Sequence, residues 1–245
     1  MLSYALRLTT IYAVVALVAA IGCGPRDDLP ASARGRATFE TLAVEKTPPG
    51  DSSSQSPAAR ARPRIVVLGD SLTAGSGLSA DEAYPALLGQ RLAAEGLNYE
   101  VVNAGVSGDT SAGGLARLDW AFDGNVRLLI VALGANDGLR GLPAEQLKRN
   151  LSQIIERAQA RGIKVVLAGM EAPPNWGRAY FVGFHLVYPL LAQRYHVALV
   201  PFLLQGVAGR EDLNQPDLLH PNKEGARIVA ENVWAVIKPI VEGQP

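Results

Sequence analysis

The chain has 245 residues, with 23 basic and 23 acidic side chains and no formal net charge. A neutral balance without any basic run excludes the electrostatic footprint of a nucleic-acid binder. Its 48% apolar content is that of a globular protein, and its single cysteine excludes an internal disulfide.

Residues 1–22 read as a secretory signal. Arg7 is the only charged side chain before Arg26, and Ile, Val, Ala and Leu dominate between them. The run is almost long enough to cross a bilayer, so an uncleaved anchor is the alternative. The small residues Ala19, Ala20 and Gly22 favour cleavage. Residues 23–62 are rich in Pro, Ala, Ser and Arg and show no apolar periodicity. So little can be buried there that ordering entropy is not offset, and the segment reads as a flexible tether. Residues 63–245 remain as one domain, long enough for a substantial core.

Inside that domain, apolar runs at 64–69, 99–103, 127–134, 164–169 and 198–201 predict strands. Their hydrophobicity is continuous rather than alternating, which suits a parallel sheet buried on both faces. Helical patterns fall between and after them, at 83–95, 112–122, 143–161, 178–195 and 223–241. Asp81 and Ser111 are candidate N-caps, and Gly96 and Gly162 candidate stops. The alternation predicts an α/β fold: a three-layer α/β/α sandwich, flavodoxin-like, with a central, mostly parallel five-stranded sheet. Such sheets place their sites beyond the strand C-terminal ends.

Four short motifs fall at those ends. Gly69-Asp70-Ser71-Leu72 puts a hydroxyl where the first strand emerges. Asn103 to Thr110, with Gly105 and Gly108, supplies a small-residue loop whose N–H groups can approach a ligand. Gly134-Ala135-Asn136-Asp137 offers a side-chain amide to the same crevice. Asp217-Leu218-Leu219-His220 places a carboxylate three residues before an imidazole, a spacing that one turn can close. Each alone has an ordinary reading as turn or cap chemistry. Together they supply a nucleophile, oxyanion donors, and an acid–base pair. His185, in a helical run, and His196, at a helix–strand junction, read as structural. No Gly-x-Ser-x-Gly elbow, His-Glu-x-x-His run, dinucleotide fingerprint or phosphate-binding loop is present. No metal or cofactor is therefore expected.

These four blocks resemble those of the SGNH (GDSL) hydrolase family. Ser107-Gly108-Asp109-Thr110-Ser111, the run from Pro174 to Tyr180, and Tyr188-Pro189 are similar to its periplasmic acyl thioesterase, arylesterase and lysophospholipase branch. The resemblance implies a serine ester or thioester hydrolase in which Ser71 is the nucleophile, His220 the base and Asp217 its orienter. It implies an oxyanion hole from the N–H groups of Ser71 and Gly108 with the Asn136 side chain. Pro174, Asn175, Trp176 and Tyr180 are candidates for substrate binding. The alternatives are an acyl- or acetyltransferase or O-acetyl esterase acting on cell-envelope carbohydrate, and a non-catalytic lipid-binding protein. Ala20-Ile21-Gly22-Cys23 resembles the lipobox of bacterial lipoproteins, with Ala20 where Leu is usual. It implies an exported, periplasmic protein, lipid-anchored through Cys23, against the alternative of an ordinary signal peptide with a free cysteine. A monomer acting on acyl esters or thioesters, with no nucleic-acid partner, is the expected form.

Overall fold

Five apolar runs become the strands β1 (Arg64–Gly69), β2 (Glu100–Gly105), β3 (Val126–Ala132), β4 (Lys164–Ala168) and β5 (Ala198–Val200). The structure is a computed structural model that describes residues 62–243. The signal segment, Cys23 and nearly all of the tether lie outside these residues. The strands lie in the order β2-β1-β3-β4-β5, and every pairing is parallel.

Parallel neighbours need a crossover between them, and the helical segments supply it. After β1 come α1 (Ser71–Ala74) and α2 (Tyr84–Ala94); after β2, α3 (Ser111–Ala116) and α4 (Leu118–Ala121). After β3 come α5 (Ala135–Leu139) and α6 (Ala144–Gln159). After β4 come a 3₁₀ turn (Pro174–Trp176) and α7 (Arg178–Tyr195), and α8 (Lys223–Val241) closes the fold. Right-handed crossovers that run in opposite directions from β1 put their helices on opposite faces. Accordingly α2 packs with α8, while α6 packs with both α3 and α7. Between the layers Ile65 to Leu68, Leu128 to Leu133 and Val165 to Ala168 are buried, which is why those runs do not alternate.

Local chemistry departs from the sequence reading in three places. The helix expected at 112–122 breaks at Arg117 into α3 and α4. Asp81 caps nothing: α2 starts after Ala83, with Pro85 in its first turn and no side-chain cap. Thr110, not Ser111, caps α3, accepting the Gly113 N–H. Gly96 and Gly162 follow the ends of α2 and α6 as expected. The strand order reverses between β1 and β3, so the crevice of this fold opens between the loops after those two strands.

Candidate active site

Asp70 caps α1 through Oδ1, which accepts the Leu72 N–H at 3.0 Å. Ser71 is then the first helical residue, where an N–H has no intrahelical partner. His220 arrives from the loop before α8. Its Nε2 lies 2.9 Å from Ser71 Oγ, and its Nδ1 lies 2.6 Å from Asp217 Oδ2. An ionised carboxylate only accepts, so Nδ1 carries the imidazole proton and Nε2 of the neutral ring accepts from the serine hydroxyl. Asp217 Oδ1 accepts the N–H groups of Leu219 and His220, each at 3.0 Å. The His220 backbone N–H, its imidazole and the Leu219 N–H hold the Asp217 carboxyl at about 2. Leu218 between them sits at φ +59°, a left-handed backbone that costs a non-glycine residue strain.

The segment before this turn carries no readable pattern, yet it fixes the histidine. Gln215 N–H donates to the His220 carbonyl at 2.7 Å, and its Nε2 donates to Pro221 O at 3.0 Å and to Ser76 O at 2.6 Å. One side chain thus joins the histidine loop to the turn after Ser71. Asn214 is buried, its amide donating to the Val207 and Arg210 carbonyls.

The second loop is tied to the first. Val106 N–H donates to Gly69 O at 3.0 Å, and the Ser76 and Ser107 hydroxyls pair at 2.8 Å. Gly108 has φ +84°, a turn that favours glycine, and its carbonyl accepts from Arg140 at 2.9 Å. Asn136 donates one Nδ2 hydrogen to Asp109 O at 3.0 Å, leaving the amide a second hydrogen for a ligand. Arg117, which gave no signal in the sequence, pairs with Asp109 at 2.6 Å and donates to Gly69 O at 2.8 Å. It therefore bridges the Ser71 and Gly108 loops.

The third loop rests on buried polar groups. Asp137 accepts the Ser111 N–H at 2.8 Å and its hydroxyl at 2.6 Å, and Asn150 donates to that hydroxyl oxygen at 2.9 Å. Tyr188 donates to Leu133 O at 3.0 Å, and a Cβ on Gly134 (φ +121°) would collide with the Tyr188 oxygen. Tyr188, noted in the sequence with Pro189 and without a role, braces this loop from α7.

Ser71, Asn136 and His220 open onto a cavity of about 510 Å³. Its walls are mainly apolar, with Leu139, Met170, Pro173, Phe202, Leu204 and Leu219 among them. Of the four residues expected to bind substrate, Pro174 lines this cavity and Asn175, Trp176 and Tyr180 do not. Trp176 covers Gly141 and is 46% exposed, and the Tyr180 hydroxyl donates to Leu142 O at 2.7 Å. Most of the walls come from positions far apart in the chain, which no local pattern could announce. Among the described residues no group of three or more His, Cys, Asp or Glu is arranged to hold a metal.

The model of the GDSL-like Lipase/Acylhydrolase family matches residues 67–228. Esterase TesA of Pseudomonas aeruginosa is 45% identical over 178 residues, covering 72% of this chain and 89% of its own length. Thioesterase 1/protease 1/lysophospholipase L1 of Escherichia coli is 38% identical over 184 residues, covering 75% and 87%. Among solved structures, the psychrotrophic esterase EstA from Pseudoalteromonas sp., inhibited by monoethylphosphonate, superposes with a TM-score of 0.68 at 33% identity. That match covers 73% of this chain and 98% of EstA. With a family match over residues 67–228 and relatives at this identity, the chain belongs to the GDSL-like lipase/acylhydrolase family and is an ester hydrolase.

Proposed function

We propose that Ser71, His220 and Asp217 hydrolyse acyl esters and thioesters by two-step acyl transfer, with the acyl chain held in the apolar cavity. The observation that carries this reading is the 2.9 Å contact from Ser71 Oγ to an imidazole whose other nitrogen is committed to Asp217. Ser71 Oγ forms a bond to the carbonyl carbon as its proton passes to His220 Nε2. The carbonyl oxygen takes the negative charge and is met by the N–H groups of Ser71 and Gly108 and by the free hydrogen of Asn136 Nδ2. The tetrahedral intermediate then expels the alcohol or thiol, which takes the proton from His220. Water, deprotonated by the same nitrogen, attacks the acyl-enzyme and releases the carboxylic acid and the serine hydroxyl. Asp217 stays ionised throughout, as its low position requires.

The relatives named above include an esterase and a thioesterase/lysophospholipase. Their names, with that of the arylesterase of Vibrio mimicus, 39% identical over 179 residues, and the apolar cavity support aryl esters, acyl thioesters and lysophospholipids as the substrate classes. An alkyl fluorophosphonate tests the assignment: it should add its mass to the peptide containing Ser71 and abolish hydrolysis of an aryl ester. Ser71→Ala should resist labelling and lose on the order of 10⁶ in turnover, by analogy with another serine hydrolase. Full activity in that variant would overturn the assignment.

The N-terminal sequence supports export from a bacterial cell, with residues 1–22 removed and Cys23 bearing lipid. Residues 23–62 then form the tether and residues 63–245 the hydrolase domain. Cys23→Ser should move the processed protein from the membrane fraction to the soluble one, and unchanged membrane association would count against lipidation.

A further inference from the structure

Apart from Val106 and Trp120, the exposed large apolar side chains of the described residues fall on the cavity walls or along α7 and the turn before it. Leu139, Leu218 and Leu219, each more than two-fifths exposed, stand on the walls of the cavity beside Ser71. Trp176 follows directly, with its ring edge-on to Tyr180 at 6.5 Å where α7 begins. Along α7, Val182, Leu186 and Leu190 are 43%, 43% and 48% exposed. A spacing of four places them in one stripe.

This stripe contradicts the usual logic of a surface helix, whose outward side carries charge. The inward side of α7 is already buried through Phe184, Val187, Tyr188 and Leu191. The helix is therefore apolar on both sides and covered on one. No helix of the described residues is long and apolar enough to cross a membrane, so the stripe is a surface feature. The stripe is continuous with the site: His185, between Val182 and Leu186, contacts Glu171 Oε1 at 2.6 Å, and Glu171 lines the cavity.

We propose that the exposed stripe of α7, with Trp176, docks on the surface of a lipid bilayer and brings the cavity mouth against it. Three observations favour lipid over a second copy of the chain. First, Pro174, two residues before Trp176, lines the cavity that would receive an acyl chain, and His185, between Val182 and Leu186, contacts the lining residue Glu171; this point rests on the function proposed above. Second, α7 holds no Asp or Glu and has exposed Arg178 and Arg194 at its two ends, suited to anionic headgroups. Third, the chain outside the described residues starts with an apolar run and Cys23, followed by about 40 residues of tether. A flexible chain of that length has a root-mean-square reach of roughly 35 Å, and in the function proposed above it starts from a lipid-bearing Cys23. It would hold the domain near the bilayer at an effective concentration in the millimolar range, enough for a narrow apolar stripe to stay seated.

The test uses the full chain carrying Ser71→Ala and vesicles of phosphatidylcholine and phosphatidylglycerol with brominated acyl chains, which quench tryptophan at contact. Emission should fall with brominated vesicles and not with unbrominated ones. The quench should vanish in Trp176→Phe and persist in Trp120→Phe. It should also vanish when Val182→Ser, Leu186→Ser and Leu190→Ser are combined, while the same changes in the active protein leave hydrolysis of a soluble short-chain aryl ester unchanged. A Trp176 emission indifferent to brominated lipid overturns the proposal. So does a dimer, seen by sedimentation equilibrium, that the serine substitutions dissociate while no quench occurs. The quench is read without turnover, so docking can fail while Ser71 labelling stands, and the reverse.

Discussion

Asp70 and Asp217 flank the same serine and are displaced in opposite directions. Asp70 is 1% exposed, and only one of its oxygens has a protein partner; burial pushes it up to about 6. Its folded-state value exceeds the ordinary 3.8, so between pH 4 and 6 the native state binds more protons than the unfolded one. Stability from this group therefore falls as pH rises through that window, by about 3 kcal/mol in all. Asn caps a helix as well as Asp does. Asp70→Asn should erase that loss, and urea unfolding at pH 4.5 and 7 would show the variant gaining on the parent as pH rises. Asp217 behaves the opposite way: its contribution is present above pH 4 and is lost as pH falls toward 2. Asn136 gives one hydrogen to Asp109 O and has one left to donate, so its truncation removes a single donor from the oxyanion. Asn136→Ala should lower kcat by about 10²–10³, read as steady-state hydrolysis of an aryl ester.

At the scale of elements, the break at Arg117 has a purpose that helix periodicity hides. The apolar pattern at 112–122 is compatible with one helix. The chain instead ends α3 at Ala116, and the Arg117 guanidinium reaches both Asp109 and Gly69 O. Those contacts set the spacing between the loops that carry the Ser71 and Gly108 N–H groups. Hydrogen bonds to charged groups contribute about 1.5–3 kcal/mol each. Arg117→Met should therefore cut kcat by roughly 10–100-fold with KM little changed, while Arg117→Lys recovers part of the loss. A parallel rise in KM would mean general loosening instead. The strands were legible because burial on both faces leaves a continuous apolar run, and 64–69 agrees residue for residue with β1. The caps were less so: Ser111 has the right residue type for a cap, but its hydroxyl is taken by Asp137, a partner 26 positions away. Tertiary partners of this kind leave no local trace.

For the whole molecule, the four motifs were readable because this topology returns every strand end to one edge, and the reversal between β1 and β3 opens a crevice there. The sequence pointed to Ser71, Asn136, Asp217 and His220 through residue type and order. Beyond the loop that carries Pro174, it pointed neither to the cavity walls nor to Gln215, whose amide spans 139 positions to reach Ser76. Nor did it separate Pro174, which lines the cavity, from Asn175, Trp176 and Tyr180 beside it.

The Ser71–His220 contact joins positions 149 apart. The packing of α2 against α8 already closes that ring of chain, and the loop of His220 is held to it by a few hydrogen bonds, which places this loop among the first segments to open. Most of the sheet and its buried strands do not depend on it. Catalysis should then be lost at a lower urea concentration than helix content, measured on one sample by ester hydrolysis and circular dichroism. Coincident midpoints would show that the loop and the core unfold together. If the midpoints separate, Gln215 acts as a latch: the protein can be folded and idle, and its working fraction is set by how often the loop from Asn214 to Pro221 lies closed.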